Sequence, residues 1–482
     1  GLVPTAGEVL LSAAPAGAAG CPTVSPSVPA PTWGPVANGV VSGTASVRVA
    51  AGHTTIHLLD VDLTNPNVGV GQLGDAVTDA RQVLSAANGV SNAVAAINGD
   101  FFHSTDDYQN VAPDGAMGAA GRVMKGWSVS QPTLSVTAGH AAAGWTHLRG
   151  QLLFSSSTAT ANVQTAQSDS AGSKAPASKK ATKKKTTTTA AHKKKAAKKK
   201  AGKKKAGKRK VSTKRKKKTG HAGAKKKPSA PKKTTTTGGA TASALPALGS
   251  SDLSGPISVV NAQGRQTLLP LVAENDDQAT GAVLYTSDWG PGDISAGWPL
   301  NAREIEMTNG VVTSVHDVGD TGLPAGHTAL VVNGSDASAL SWVTVGDHVA
   351  QSSAMIADAT GSAADVLIGG DSLLLQGGTV QDYQCTLDSD TSVRPRQIVG
   401  TRLGGTHLMI MTADGDTHGD PGMTVREAAE VVHDLSWTEA MNDDGGASAQ
   451  QVVKVNGHLT LVSMNSQHTQ REVPDGLVIT SH

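Results

Sequence analysis

Four short segments carry residue types that can do chemistry, each beside an apolar run able to hold it in place. The first is Asn98-Gly99-Asp100-Phe101-Phe102, directly after the strand-like Ala93-Val94-Ala95-Ala96-Ile97. It sets an amide and a carboxylate where a strand would leave its sheet, though a plain turn with buried rings is the slightly better reading of the residues alone. The second is Arg394-Pro395-Arg396-Gln397-Ile398-Val399-Gly400, where a guanidinium fork suits a pair of phosphate oxygens and a solvated surface arginine is the alternative. The third is Asp414-Gly415-Asp416-Thr417-His418-Gly419-Asp420; its acids suggest a cation loop, but His418 and the missing closing Glu break the EF-hand pattern. The fourth is Asn442-Asp443-Asp444-Gly445-Gly446-Ala447-Ser448, where paired acids and paired glycines let backbone and carboxylate approach a ligand together. A solvated turn is its ordinary reading.

Elements that could position these segments are legible from periodicity. Ala45–Val49 and Thr54–Leu63 alternate and are β-branched, so they are predicted strands, with further strands over 125–136 and up to Phe154. Residues 79–87 have helical character. Strand-like sequence resumes at Ile257-Ser258-Val259-Val260, and short strands with Gly-containing turns continue through Leu375. Thr424-Val425-Arg426-Glu427 is a capping box opening a helix whose Ala428, Val431, Val432 and Leu435 share one face for packing on a sheet. After Ser448, Gln451–Val455 and Leu459–Val462 flank Asn456-Gly457, a hairpin signal. The implied class is α+β: a mixed, strand-rich single catalytic domain with a few packed helices.

That domain is interrupted. The net charge of +2 over 482 residues conceals two populations, because residues 174–233 hold 26 Lys and 2 Arg with no acid. The remaining chain has 13 basic residues against 39 acidic ones, near −26. The Lys-rich core of 155–254 has too little apolar surface to offset chain entropy and is expected to be a disordered polycationic insertion. The expected divisions are a flexible leader over 1–37, domain parts over 38–154 and 255–482, and the insertion over 155–254. The leader, rich in Ala and Gly up to Cys21, reads as a signal-peptide remnant or a poor lipoprotein-type cleavage site, pointing to a secreted or cell-envelope location. No apolar run is long enough for a membrane span. Cys21 and Cys385 could form one disulfide or stay as thiols, and neither has the close Cys or His neighbours of a metal site.

In order, these segments resemble the phosphodiester glycosidase family. Its apolar strand ending Asn-Gly-x-Phe-Phe is matched by Asn98–Phe102, and its His-Pro-Arg-Thr-Ala-x-Gly by Arg394–Gly400 with Arg396 in the Arg position. A strand ending Asp-Gly, then Gly-Met-Thr opening a helix, is matched by Asp414-Gly415 and Gly422-Met423-Thr424, and Asn-Leu-Asp-Gly-Gly-Gly-Ser by Asn442–Ser448. Smaller matches are Leu284-Tyr285-Thr286 with Trp289-Gly290, Leu323-Pro324-Ala325-Gly326, and Ile368-Gly369-Gly370. The sequence departs from the pattern at Arg394, Gln397-Ile398, Asp443 and Ala447. The resemblance implies a hydrolase that cleaves a sugar-1-phosphodiester at the anomeric C–O bond in an extracellular or cell-envelope glycan. It implies Arg396 on the phosphate, Asp444 as the carboxylate at the anomeric centre, and Asp100 or Asp414 as a second acid/base. Asn98, Gly99, Asn442, Gly445, Gly446 and Ser448 would bind substrate. No cofactor is implied with certainty, and a divalent cation stays open. Two other readings stand beside it: a non-catalytic envelope polysaccharide-binding protein, and binding of a polyanion (wall polymer or nucleic acid) through residues 174–233.

Overall fold

The computed structural model describes residues 25–102, 111–157 and 255–482, apart from 262–263, 278, 296–297, 300, 319–322, 324–325, 359–362, 382–390, 418, 464 and 466–468. The Lys-rich stretch, both cysteines, His418 and the first 24 residues of the expected leader lie outside the described residues. The chain divides into two units, Gly1–Ala166 with Ser243–His482, and Gln167–Ala242, the second of which lies wholly outside them. In the first unit, strands from before residue 158 and after residue 254 share the same sheets. His140–Ser155, for instance, pairs with both Gly264–Pro270 and His348–Ala357.

Three large sheets follow from the alternating sequence, antiparallel except where Ala273–Glu274 pairs parallel with Ala282–Tyr285. An eight-stranded sheet is centred on Gly52–Asp62, His407–Ala413, Arg396–Arg402 and Glu439–Asp443. A five-stranded sheet is centred on Ala93–Asn98, flanked by Gln451–Val455 and Gly476–Ser481. The third has thirteen strands, and its last strand, Gln131–Thr137, pairs back onto His140–Ser155, so the order closes into a ring.

Where the first two sheets face each other, Leu59, Val399, Ile410 and Met441 meet Ala95, Ile97, Leu477 and Ile479 in one core. The outer face of the eight-stranded sheet packs on helix Val425–Asp434 through Ala428, Val431 and Val432; the outer face of the five-stranded sheet packs on helix Val83–Asn88. Each buried aliphatic side chain contributes about 1.5–3 kcal/mol, so both layers are held mainly by apolar burial. The expected capping box is present: Thr424 Oγ1 accepts from the Glu427 amide at 3.1 Å, and Glu427 Oε2 from the Thr424 amide at 2.9 Å. Glu427 Oε1 also accepts from the Ala50 amide at 2.8 Å, tying the helix start to a strand turn. The Asn456-Gly457 turn has φ of 50° and 85°, as the hairpin signal requires.

Two expectations are corrected. Thr32–Ala37, inside the expected leader, is a strand paired with Val40–Val49; the Trp33 ring lies against Gly43, and a Cβ there would come within 2.8 Å of it. The helix expected over 79–87 is confined to Val83–Asn88, because Arg81–Gln82 pairs as a strand with Glu472–Val473.

Candidate active site

The sheets bring the chemical segments to one place because their strands end side by side. Gly476 pairs with Asn98 across the five-stranded sheet, and Gln397 pairs with Asp443 across the eight-stranded one. Asn98 joins the two: its Nδ2 donates to the Asp444 carbonyl at 2.7 Å, and its Oδ1 accepts from the Gln450 amide at 2.9 Å. The Asp444 amide in turn donates to the Gly99 carbonyl at 3.1 Å. Asn98 is therefore an inter-sheet clamp, fully buried.

Asp100 is buried one residue beyond Gly99. Its backbone amide donates to Asp475 Oδ1 at 3.1 Å, and its own carboxylate accepts from the Phe101 and Gly115 amides. Asp475 opens the strand Gly476–Ser481 and is also buried. Asn442 Nδ2 donates to Asp371 Oδ1 at 2.9 Å. Six carboxylates, Asp100, Asp114, Asp371, Asp443, Asp444 and Asp475, thus act on one another across the strand ends.

Burial is the largest cause of their altered acidity, and mutual repulsion adds to it. The Asp444 carboxyl is pushed up to about 7 by burial, a rise that Ser448 and the Arg471 cation oppose. Asp475 is likewise pushed up to about 7 by burial, with Lys125 opposing. Asp100 and Asp443 are driven well above the carboxylate range by burial first and neighbouring acids second. Both Asp443 oxygens are buried with no hydrogen-bond donor among the described residues, which disfavours the ionised form.

The rim carries a cation. Arg471 Nη1 donates to Ser448 Oγ at 2.9 Å, while its guanidinium stands 4.4 Å from the centre of the Phe102 ring. Gln450 Nε2 holds the carbonyls of both Ser448 (3.2 Å) and Arg471 (2.9 Å). Arg396 sits differently. Its backbone borders the cleft, but its buried Nε donates to the Met423 carbonyl at 2.9 Å and its Nη2 to the Ser392 carbonyl at 2.5 Å. Asp414 pairs with His57 Nε2 at 3.1 Å and bonds through its amide to Thr55.

The glycines of the fourth segment are required by close approach. A Cβ on Gly445 would lie 2.6 Å from the Pro395 carbonyl oxygen, and Gly446 has φ of 55° and donates to that same oxygen at 2.9 Å. Gly445→Ala is expected to cost about 1–3 kcal/mol, read as a lower urea midpoint at unchanged m-value; an unchanged midpoint would show that the two loops separate freely.

Sequence reasoning missed Asp114, Asp371, Arg471 and Asp475. The Pro474-Asp475-Gly476 turn before an alternating strand was the available signal for the last.

Carboxylates held near neutral acidity beside a cation, at the ends of strands from two sheets, are the equipment of an acid–base hydrolase. Residues 301–480 match the model of the phosphodiester glycosidase family, a family of glycosidase-type hydrolases. The match includes the second, third and fourth segments; Asn98–Phe102 lies outside it in sequence and against it in space. No curated protein matches the chain in sequence. Among solved structures, a hypothetical protein from Synechocystis shares the fold at TM-score 0.59 and 12% identity, covering 95% of this chain and 68% of that one. A Burkholderia pseudomallei protein, named as a candidate exported protein, does so at TM-score 0.53 and 16% identity, covering 89% and 74%. The zebrafish N-acetylglucosamine-1-phosphodiester alpha-N-acetylglucosaminidase catalytic domain, auto-inhibited by its pro-peptide, follows at TM-score 0.38 and 11% identity, covering 95% and 89%, a likeness too distant to build on.

Proposed function

We propose that the protein hydrolyses a sugar-1-phosphodiester at the anomeric C–O bond, using water to give the free sugar and a phosphomonoester. The observation that carries this reading is Asp444: a half-buried carboxyl pushed up to about 7, bonded to Ser448, with Arg471 on the same hydroxyl. A phosphate leaves as a stable anion, so the reaction needs little proton donation to the leaving oxygen. It needs a base for water or a negative charge facing the oxocarbenium-like carbon, and a cation for the phosphate. Asp444 in its ionised form supplies the first.

Arg471 supplies the second in our reading, because it stands at the rim, whereas the Arg396 guanidinium braces the carbonyls of Met423 and Ser392. Asn98, Gly99, Gly445 and Gly446 hold the two loops in register, and Ser448 links base to cation. Asn442, fixed on Asp371, faces the sugar side, and Asp100 with Asp475 is the second acid pair. Asp414 supports the neighbouring loop through His57. An extracellular or envelope glycan fits the leader's composition, and among the described residues no helix is long and apolar enough to cross a membrane.

The test is hydrolysis of the benzyl phosphodiester of N-acetylglucosamine 1-phosphate in water enriched in oxygen-18. The heavy oxygen is expected in the sugar. Its appearance in benzyl phosphate would mean P–O cleavage, and absence of any product would favour a binding protein. Arg471→Ala is expected to raise KM for this probe about tenfold or more, with a smaller effect from Arg471→Lys; an unchanged KM would return the phosphate to Arg396.

A further inference from the structure

A second group of titratable side chains lies on the thirteen-stranded sheet, on strands that contribute nothing to the carboxylate cleft. Strands Arg303–Thr308 and Val311–Asp317 pair antiparallel, with Glu304 opposite His316 and Glu306 opposite Ser314. Ile305 points into the apolar core, so Glu304 and Glu306 share the other face with His316. One ligand-capable atom from each of the three lies within 4.8 Å of the others.

The imidazole is oriented from behind. His316 Nδ1 lies 3.0 Å from the Asp317 carbonyl oxygen, which can only accept, so Nδ1 carries a hydrogen. That leaves Nε2 facing Glu306 Oε1 at 3.3 Å. In the neutral ring these are two acceptors pointed at each other, an arrangement that needs a positive charge between them. Either a proton or a metal ion satisfies it. A carbonyl on the far nitrogen is also the usual way a metal-binding histidine is held.

Glu304 is 1% exposed and its Oε2 is 3.8 Å from His316 Nδ1, so a buried carboxyl group adjoins the same imidazole. Two carboxyl groups and one imidazole are the oxygen and nitrogen donor set of a divalent metal site, which favours the metal. His316 and Glu306 side chains are 34% and 27% exposed, which leaves an entry path and room for water to complete the shell. The 3.3 Å spacing fits two ligands on one tetrahedral ion, whose bonds are about 2.0–2.2 Å. We propose that Glu304, Glu306 and His316 form a binding site for a divalent transition-metal ion, with water as the remaining ligand. One nitrogen and two carboxylate ligands suit zinc or a neighbouring first-row metal.

The site is independent of the hydrolase reading. A metal-bound imidazole nitrogen must be unprotonated, so metal and proton compete for Nε2. The experiment titrates chelator-stripped full-length protein with zinc by calorimetry in buffers of different ionisation heat, and with cobalt by visible absorption. One equivalent is expected, with proton release and a tetrahedral cobalt spectrum. His316→Gln and Glu306→Gln, both at partly exposed positions, are expected to weaken binding by at least about tenfold. His433→Gln, a control elsewhere on the surface, and Asp444→Asn should bind as the parent does. Absence of a stoichiometric zinc site overturns the proposal, as does an affinity unchanged in both His316→Gln and Glu306→Gln.

Discussion

Asp444→Asn is expected to lower kcat on a glycosyl phosphodiester by about 10²–10⁴, the range a positioned acid–base group supplies. The substitution keeps the side-chain shape, and its carbonyl can still accept from Ser448, so the loop that holds Arg471 persists. What disappears is the ionisable oxygen. Because the phosphate departs without needing a proton, Asp444 works ionised. Activity of the parent should therefore fall as pH drops through about 7, where its carboxyl takes up a proton. The neighbouring Asp475 is pushed to about 7 as well, so the inflection belongs to the coupled cluster until variants divide it. Asp475→Asn should move the inflection, while Asp444→Asn should remove it along with the rate. Full turnover by Asp444→Asn would end the assignment.

Much of this site was legible in sequence because its parts are local signals. Asn98–Phe102 and Asn442–Ser448 each follow a strand with clear alternation or burial, and Thr424-Val425-Arg426-Glu427 sets a helix start by hydrogen bonds within four residues. What was not legible depends on chain segments far apart. The Asp100 amide meets a carboxylate 375 positions away, at Asp475, and no periodicity within either segment carries that pairing. Arg396 illustrates the same dependence on distant segments. The resemblance puts a guanidinium on the phosphate, but its direction is set by the Met423 and Ser392 carbonyls, which sequence does not place beside it. The strand at Thr32–Ala37 was hidden in a Pro-rich stretch; it pairs with Val40–Val49, and Trp33 lies against Gly43 across that pair.

Asp443 departs from the family's pattern, and its expected effect is on stability more than on rate. Its folded-state pKa is driven well above that of an unfolded aspartate by burial first and then by Asp100, Asp475, Asp371 and Asp444. Below about pH 4 the carboxyl is protonated in both states and costs nothing. As pH rises past that value the unfolded chain releases the proton while the folded one retains it, so stability falls with rising pH. The decline continues until the folded-state group itself ionises. Asp444 and Asp475, at about 7, add losses of the same sign between roughly pH 4 and 7. Asp443→Asn should therefore stabilise the protein at pH 8, read as a higher urea midpoint. At pH 4 the same variant should differ little from the parent, since an amide and a protonated acid are then alike in shape and charge. Urea midpoints at the two values, with the half-exposed Asp434→Asn as a control that lacks the effect, measure it. A gain independent of pH would show that ionisation is not what costs stability, and a loss at pH 8 that shrinks toward pH 4 would mean that Asp443 is ionised in the fold and is balanced by a charge. The departure from the family pattern would then be a solved electrostatic problem, and no longer a strain held at the floor of the cleft.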